Sequence, residues 1–285
     1  MKIFQLAEEC ICCGCSEIAS SPAVLMPFVA KRVFGHDPLE IKADWGFRDL
    51  KPGLAHTLCH SLQCQECGAL FLDYRFTDKQ MAALYHNYMD EAYTRQRDHY
   101  EPGYAATTAQ HYTFRQSYIA DVEAWLAPRL PLQPAVLDWG GGSGMNAPFL
   151  GRSRLLHVHD ISNVEVVAGA DRISSEVLGG EAYDLVVCNQ VLEHVPFPDR
   201  LIDLIRPALG AETLLYLGVP HEALMRAHPG SLDLATLKRH WHEHINFYTE
   251  PSMRRLLERV GLEVVDVHYV PTLKGVVLGM LAKLP

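Results

Sequence analysis

Two hydrophobic rhythms run along the chain. From Ala135-Val136-Leu137 onward, short apolar runs recur at 155–160, 165–168, 184–188 and 213–219. Runs of this length suit strands covered on both faces. Between them the apolar spacing turns helical. Leu201, Ile205 and Leu209 share one helical face, and a second helix is predicted to begin near Thr249-Glu250-Pro251. It buries Met253, Leu256, Leu257 and Val260 and stops at Gly261. Strands alternating with helices predict an α/β architecture, a mostly parallel sheet with helices on both faces. Residues 263–270 and 275–283 are strand-like with no helix between them, which predicts a C-terminal antiparallel hairpin.

Upstream the pattern changes. Residues 78–127 are aromatic, charged and helix-leaning, with Phe114, Tyr118, Val122 and Trp125 on one helical face, and Pro128, Pro131 and Pro134 punctuate the chain before Ala135. Seven of the eight cysteines lie between Cys10 and Cys67, while Cys188 stands alone in an apolar run. These shifts divide the chain into a cysteine-rich module (1–75), a helical connector or lid on the substrate side (76–130) and an α/β domain (131–285).

Composition removes some partners. A net charge of −9 and a pI near 5.9 give no global basic field for nucleic acid or an anionic membrane. The cysteine-rich part holds seven Lys/Arg against nine Asp/Glu, so it lacks a phosphate-binding footprint. The N-terminus is too acidic for a signal peptide, and the early apolar run 22–30 is too short to cross a bilayer. The default address is cytoplasmic, where clustered thiols stay reduced and serve as metal ligands rather than disulfides.

The first chemical motif is Asp138-Trp139-Gly140-Gly141-Gly142-Ser143-Gly144, placed after an apolar strand and before a predicted helix. Glycines allow a tight turn and close approach of a ligand to the backbone, near a helix N-terminus. Asp160 ends the next strand, 22 residues after Asp138, where a carboxylate can accept both hydroxyls of a ribose. Met145 occupies the third glycine place of the dinucleotide fingerprint, which argues against NAD.

This arrangement resembles motif I and the following acidic position of the Rossmann-like class I S-adenosylmethionine methyltransferases. The run Tyr183-Asp184-Leu185-Val186-Val187-Cys188-Asn189-Gln190-Val191-Leu192-Glu193-His194-Val195 is similar to that class's fourth strand and its "LEHV" turn. The resemblance covers roughly 134–283. It implies a cofactor seat formed by Asp138, Gly140, Gly142, Gly144, Asp160 and Ile161, with Asp171 near the adenine and Asn189 and Gln190 at the methionine end. No Asn/Asp-Pro-Pro-Tyr sequence follows the fourth strand, which weighs against a nucleobase amino-methylating enzyme.

Cys10-Ile-Cys12-Cys13-Gly14 and Cys64-Gln-Glu-Cys67-Gly68 each contain C-x-x-C-G, together supplying the four thiolates that a structural Zn²⁺ takes. Cys12 and Cys15 form an overlapping pair. Cys10 and Cys13 are the preferred register, because Gly14 then matches Gly68. A zinc pair of this layout ahead of such a methyltransferase resembles the C-methyltransferases of nucleotide-linked deoxysugars, as does the stretch from Leu70 to Tyr88. That resemblance implies a small, sugar-type acceptor and C- or O-methylation.

Methyl transfer needs a nucleophile in line with the sulfonium methyl and a group to take its proton. The run His240-Trp241-His242-Glu243-His244-Ile245-Asn246-Phe247-Tyr248 concentrates candidates, and Glu243-His244 is similar to the "EH…F" segment of the sugar enzymes, in which the histidine is thought to be the base. His244 is therefore the expected base, with Tyr248 and His221 as substrate contacts. His194 is expected to shape its turn. The tyrosines from Tyr85 to Tyr104 are expected to pack, and Arg95 and Arg97 to lie on a solvated face. Two further readings remain: a zinc-headed RNA methyltransferase, and a non-catalytic zinc-dependent scaffold.

Overall fold

The computed structural model describes residues 5–42, 53–88, 90–108, 114–162, 164–174 and 181–285. The N-terminal part contributes β1 (Gln5–Leu6), β2 (Ile18–Leu25), α1 (Pro27–Phe34), β3 (Leu39–Ile41), β4 (Gly53–Ala55), β5 (Thr57–Cys64), β6 (Leu70–Leu72) and β7 (Tyr74–Arg75). The connector carries α2 (Asp78–Tyr85), α3 (Glu91–Tyr100), α4 (Tyr104–Thr108) and α5 (Ile119–Leu126). Then come β8 (Ala135–Trp139), β9 (Leu155–His159), β10 (Asp171–Arg172), β11 (Leu185–Asn189), α6 (Pro198–Ile205), β12 (Leu214–Pro220), α7 (Ala223–Ala227), α8 (Leu234–Leu237), β13 (His240–Trp241), β14 (Asn246–Phe247), α9 (Glu250–Arg259), β15 (Glu263–Pro271) and β16 (Val276–Lys283).

Seven strands form the larger sheet in the order β10-β9-β8-β11-β12-β16-β15. The first five run parallel, β16 returns antiparallel to β12, and β15 pairs antiparallel with β16. The terminal hairpin is thus present. Side-chain alternation sorts each strand between two cores. Ala135, Leu137, Val186, Cys188, Leu215 and Leu217 face one core, where Ile202, Ile205, Leu256 and Leu257 of α6 and α9 cover them. Val136, Leu185, Val187 and Tyr216 face the other, under Val122 and Leu126 of α5. Both faces are covered, as the continuous apolar runs require.

A second sheet of five strands, β13-β2-β5-β6-β14, draws on both ends of the chain. His240 and Trp241 pair with Val24 and Leu25, and Asn246 and Phe247 pair with Phe71 and Leu70. Strand pairing therefore crosses the divisions drawn at 75 and 131 from composition. The cores cross them too. Cys10, Cys12, Cys64 and Cys67 share one buried cluster with Leu192, Tyr248 and Met253. Among the described residues, no helix is long and apolar enough to cross a membrane.

Several local expectations change. The apolar stretch 165–168 is not a strand; the pairing falls instead on Asp171 and Arg172, an exposed edge beside β9. Phe114 stands outside α5 and is 71% exposed, because that helix starts only at Ile119. Leu209 follows α6 rather than completing it, since Pro207 gives the chain a tight turn at 206–208. No helix follows Gly144. Residues 145–151 form turns, with Phe149 at φ 64°.

Candidate active site

Strand order reverses between β8 and β11, so the carboxyl ends of these two strands open a crevice, the place where ligands bind in open α/β sheets. The glycine loop leaves β8 here, and Asn189 and Gln190 leave β11. Gly140 has φ +76°, and a Cβ there would meet Val191 Cγ2 at 2.5 Å. Gly141 lies directly over Asp138: a Cβ would come within 2.1 Å of its Oδ2. Gly142 and Gly144 also hold positive φ, at 58° and 78°. The loop thus offers backbone to the crevice without side chains, while its absent helix removes the expected helix-dipole contribution.

The two acids behave differently. Asp138 is 4% exposed, and burial, reinforced by the charge of Asp160, pushes its carboxyl up to about 7. Asp160 is half-buried. Its Oδ2 accepts from the Gly142 amide at 2.8 Å and its Oδ1 from the Ser162 amide at 2.7 Å. Those bonds fix the loop against the end of β9 and leave each oxygen one more acceptor position. Ile161 beside it is 75% exposed. Asp171 sits outside this pair on the edge strand, exposed.

At the other lip, Asn189 donates from Nδ2 to the Tyr118 hydroxyl at 2.9 Å, while its Oδ1 is buried without a partner. Gln190 holds φ +59°, donates its amide to Gly218 and also leaves a buried Nε2 unpartnered. Unsatisfied buried polar atoms are costly unless a ligand or water meets them. Placed at the crevice, they fit a polar methionine-like end. From the connector, Arg115 donates to the carbonyls of Met145 and Ala147, tying α5's approach to the loop.

Three residues beyond Gln190, a second constellation begins. Glu193, His194 and His244 bring donor atoms within 4.8 Å of one another. Glu193 is 1% exposed with neither carboxylate oxygen hydrogen-bonded, and burial pushes it up to about 7. His194 Nδ1 lies 2.8 Å from the Tyr85 hydroxyl and 3.1 Å from the Glu243 carbonyl, which can only accept from it; burial, then the charge of His244, holds the ring well below the ordinary histidine range. The two imidazoles meet edge to face, centroids 4.7 Å apart. His244 Nδ1 lies 2.8 Å from Glu222 Oε1. Burial opposes charge on His244, but the bond to Glu222 and the nearby Glu193 and Glu243 outweigh it and raise the ring above its ordinary value.

The other expected substrate contacts fall elsewhere. Tyr248 is fully buried and donates to the Leu192 carbonyl at 2.9 Å, which makes it a brace beneath the turn rather than a surface for an acceptor. His221 packs at a tilt against Tyr269, with centroids 5.4 Å apart, and stands outside the His194–His244 pair. Burial, then Arg226, lowers its pKa. Arg97 does not lie on a solvated face: it is 8% exposed, packed 4.1 Å from the Tyr104 ring centroid, and paired with Glu243. Arg95 is exposed beside Glu91. Glu193 falls within the "LEHV" turn but that motif gives it no role of its own, and nothing local to Glu222 signals its place here. For Arg97 a signal exists in the tyrosines at helical spacing around it, a pattern that places its stem in an aromatic setting.

The cysteine pairs form a separate centre. Sulfurs of Cys10, Cys13, Cys64 and Cys67 all lie within 4.8 Å of one another, with Cys10–Cys67 and Cys13–Cys64 each at 3.5 Å. The two turns match: Gly14 and Gly68 both hold φ +74° and donate to the carbonyls of Cys10 and Cys64. Cys12 and Cys15 are not in the set. Four convergent thiols without disulfide geometry fit a tetrahedral metal.

A mostly parallel sheet with one reversed strand, β16, and a glycine loop and paired acids at its switch point defines a class I S-adenosylmethionine-dependent methyltransferase domain. The chain matches the family model described as "Methyltransferase domain" over residues 110–267, more than half its length, and belongs to that family. It is 27% identical over 153 residues to the ubiquinone biosynthesis O-methyltransferase of Cupriavidus pinatubonensis, a match spanning 46% of this chain and 61% of that protein. Similar solved structures include Burkholderia thailandensis 1,6-didemethyltoxoflavin-N1-methyltransferase with bound S-adenosylhomocysteine (18% identity, TM-score 0.49, 87% of this chain and 100% of that one). The magnesium protoporphyrin IX methyltransferase of Synechocystis PCC 6803 is another (17% identity, TM-score 0.42, 60% and 83%).

Proposed function

We propose that the protein transfers a methyl group from S-adenosylmethionine to a small, sugar-type acceptor, nucleotide-linked sugars included, by C- or O-methylation. The observation that carries this reading is adjacency. Val191, which packs against Gly140 of the cofactor loop, sits two residues before Glu193 and three before His194, so the turn after β11 joins the glycine loop to the acid–histidine cluster.

In this reading Asp160 accepts ribose hydroxyls, Asn189 and Gln190 meet the methionine end, and the glycines let the backbone close on the ligand. Bound S-adenosylmethionine supplies an electrophilic methyl on a sulfonium. His244 takes the proton from the acceptor carbon or oxygen as that atom bonds to the methyl carbon and the carbon–sulfur bond breaks. His194, held neutral, keeps positive charge away from the neighbouring ring. The same reading assigns Asp171 and Ile161, both exposed, to the adenine end.

Cys10, Cys13, Cys64 and Cys67 would hold a structural Zn²⁺. A reducing, cytoplasmic setting suits them. Residues 1–75, 76–130 and 131–285 then act as module, lid and catalytic domain sharing cores. The test is mass spectrometry of a panel of nucleotide sugars incubated with the protein and S-adenosylmethionine. A gain of one methyl on a panel member supports the reading; methylation of RNA with none of the sugars contradicts it.

A further inference from the structure

We infer that Glu222 is a positioning residue, holding His244 in the one tautomer that can accept a proton from the acceptor. The inference rests on the reading of His244 as the base. A neutral imidazole carries its proton on either nitrogen, and the partner of one nitrogen decides which. Glu222 supplies that partner: its Oε1 is 2.8 Å from His244 Nδ1, so the proton stays on Nδ1 and the Nε2 lone pair is left for chemistry.

The carboxylate is well placed to do this. Glu222 follows β12 directly after His221, in a turn secured on both sides. The His221 amide donates to the Val276 carbonyl at 2.8 Å, and the His221 carbonyl accepts from Arg226 at 2.9 Å. Although Glu222 sits at the N-terminal cap of α7, its side chain caps nothing there, which frees it to reach across to His244.

The neighbouring charges do not duplicate this. Glu193 and His194 approach His244 from the turn after β11, and Glu243 from its own segment. Both oxygens of Glu243 are engaged by Arg97 of α3, and Nδ1 of His194 is engaged by Tyr85 of α2 and the Glu243 carbonyl. Neither carboxylate oxygen of Glu193 makes a hydrogen bond. Glu222 is the carboxylate that bonds the ring.

The experiment is long-range ¹H–¹⁵N NMR of the full chain labelled at imidazole nitrogens, without acceptor, with His244 assigned by its loss in His244→Ala. The wild-type ring should be protonated on Nδ1 when neutral. Glu222→Ala should populate both tautomers and raise the acid dissociation constant of the ring about tenfold, the scale of losing an adjacent opposite charge. Glu222→Gln, whose amide oxygen still accepts, should keep the tautomer while losing the charge effect. The His157 ring, bonded to Tyr183, reports that the fold is intact. A folded Glu222→Ala protein whose His244 keeps both its Nδ1 proton and its titration midpoint would overturn the inference. Failure of the base reading would show separately, as turnover surviving His244→Ala.

Discussion

Arg97 grips Glu243 with two parallel hydrogen bonds, Nη1 to Oε2 at 2.8 Å and Nη2 to Oε1 at 2.9 Å. The guanidinium of α3 thereby fastens the connector to the residue preceding His244. A third bond runs from its Nε to Glu101 at 2.9 Å. Burial opposes the charge, yet Glu243 keeps Arg97 above its usual pKa.

Removing one member of a buried pair strands the other, a loss of about 3–5 kcal/mol. Arg97→Ala should therefore lower unfolding free energy by roughly that amount in urea titrations. Arg97→Lys should recover only part of it, because a lysine cannot reproduce the fork. A change near zero would mean that the pair does not fasten the connector.

The four-thiol centre predicts about one zinc per chain by metal analysis, falling in Cys13→Ser and Cys64→Ser but not in Cys15→Ser. Its cysteines share a core with Leu192 and Met253 of the α/β part. Metal removal should thus lower the melting temperature of the whole chain in a single transition. Two separated transitions would show that the cysteine part unfolds alone.

Glu193 makes a pH prediction. Burial places its folded pKa near 7, against an ordinary value of 4.5. Between those values the native state holds a proton that the unfolded chain has lost, so raising the pH through the window costs stability, and the loss is complete above about 7. Glu193→Gln should flatten that fall, gaining on the wild type by about 2 kcal/mol between pH 5 and pH 8 in denaturant melts. A wild-type stability constant across this range would contradict the burial argument.

Gly140→Ala tests the loop. The added Cβ meets Val191 at 2.5 Å, and the φ of +76° strains any L side chain. Cofactor affinity should fall at least about tenfold, roughly 1.4 kcal/mol, by calorimetry, with the fold retained in circular dichroism.

Much of this architecture is legible in the sequence because it follows local rules. Ala135-Val136-Leu137 and Leu185-Val186-Val187 are apolar on both sides, as strands buried on both faces must be, and Thr249-Glu250-Pro251 announces its helix by capping chemistry. The glycine loop and Asp160 are legible from spacing. The hidden part is tertiary. Nothing local tells Asn246 to pair with Phe71, or Glu222 to reach His244 across 22 residues. Tyr248 reads as a site residue because it follows the histidines, whereas packing turns it into the core. The helix missing after Gly144 has a local sign in Pro148, which is ill suited to a helix interior.

The most direct test is calorimetric titration of S-adenosylmethionine into the protein. Saturable binding of one molecule per chain, weakened at least about tenfold in Asp160→Ala, is the predicted result. No measurable heat at millimolar ligand, or equal affinity in wild type and Asp160→Ala, would contradict the account.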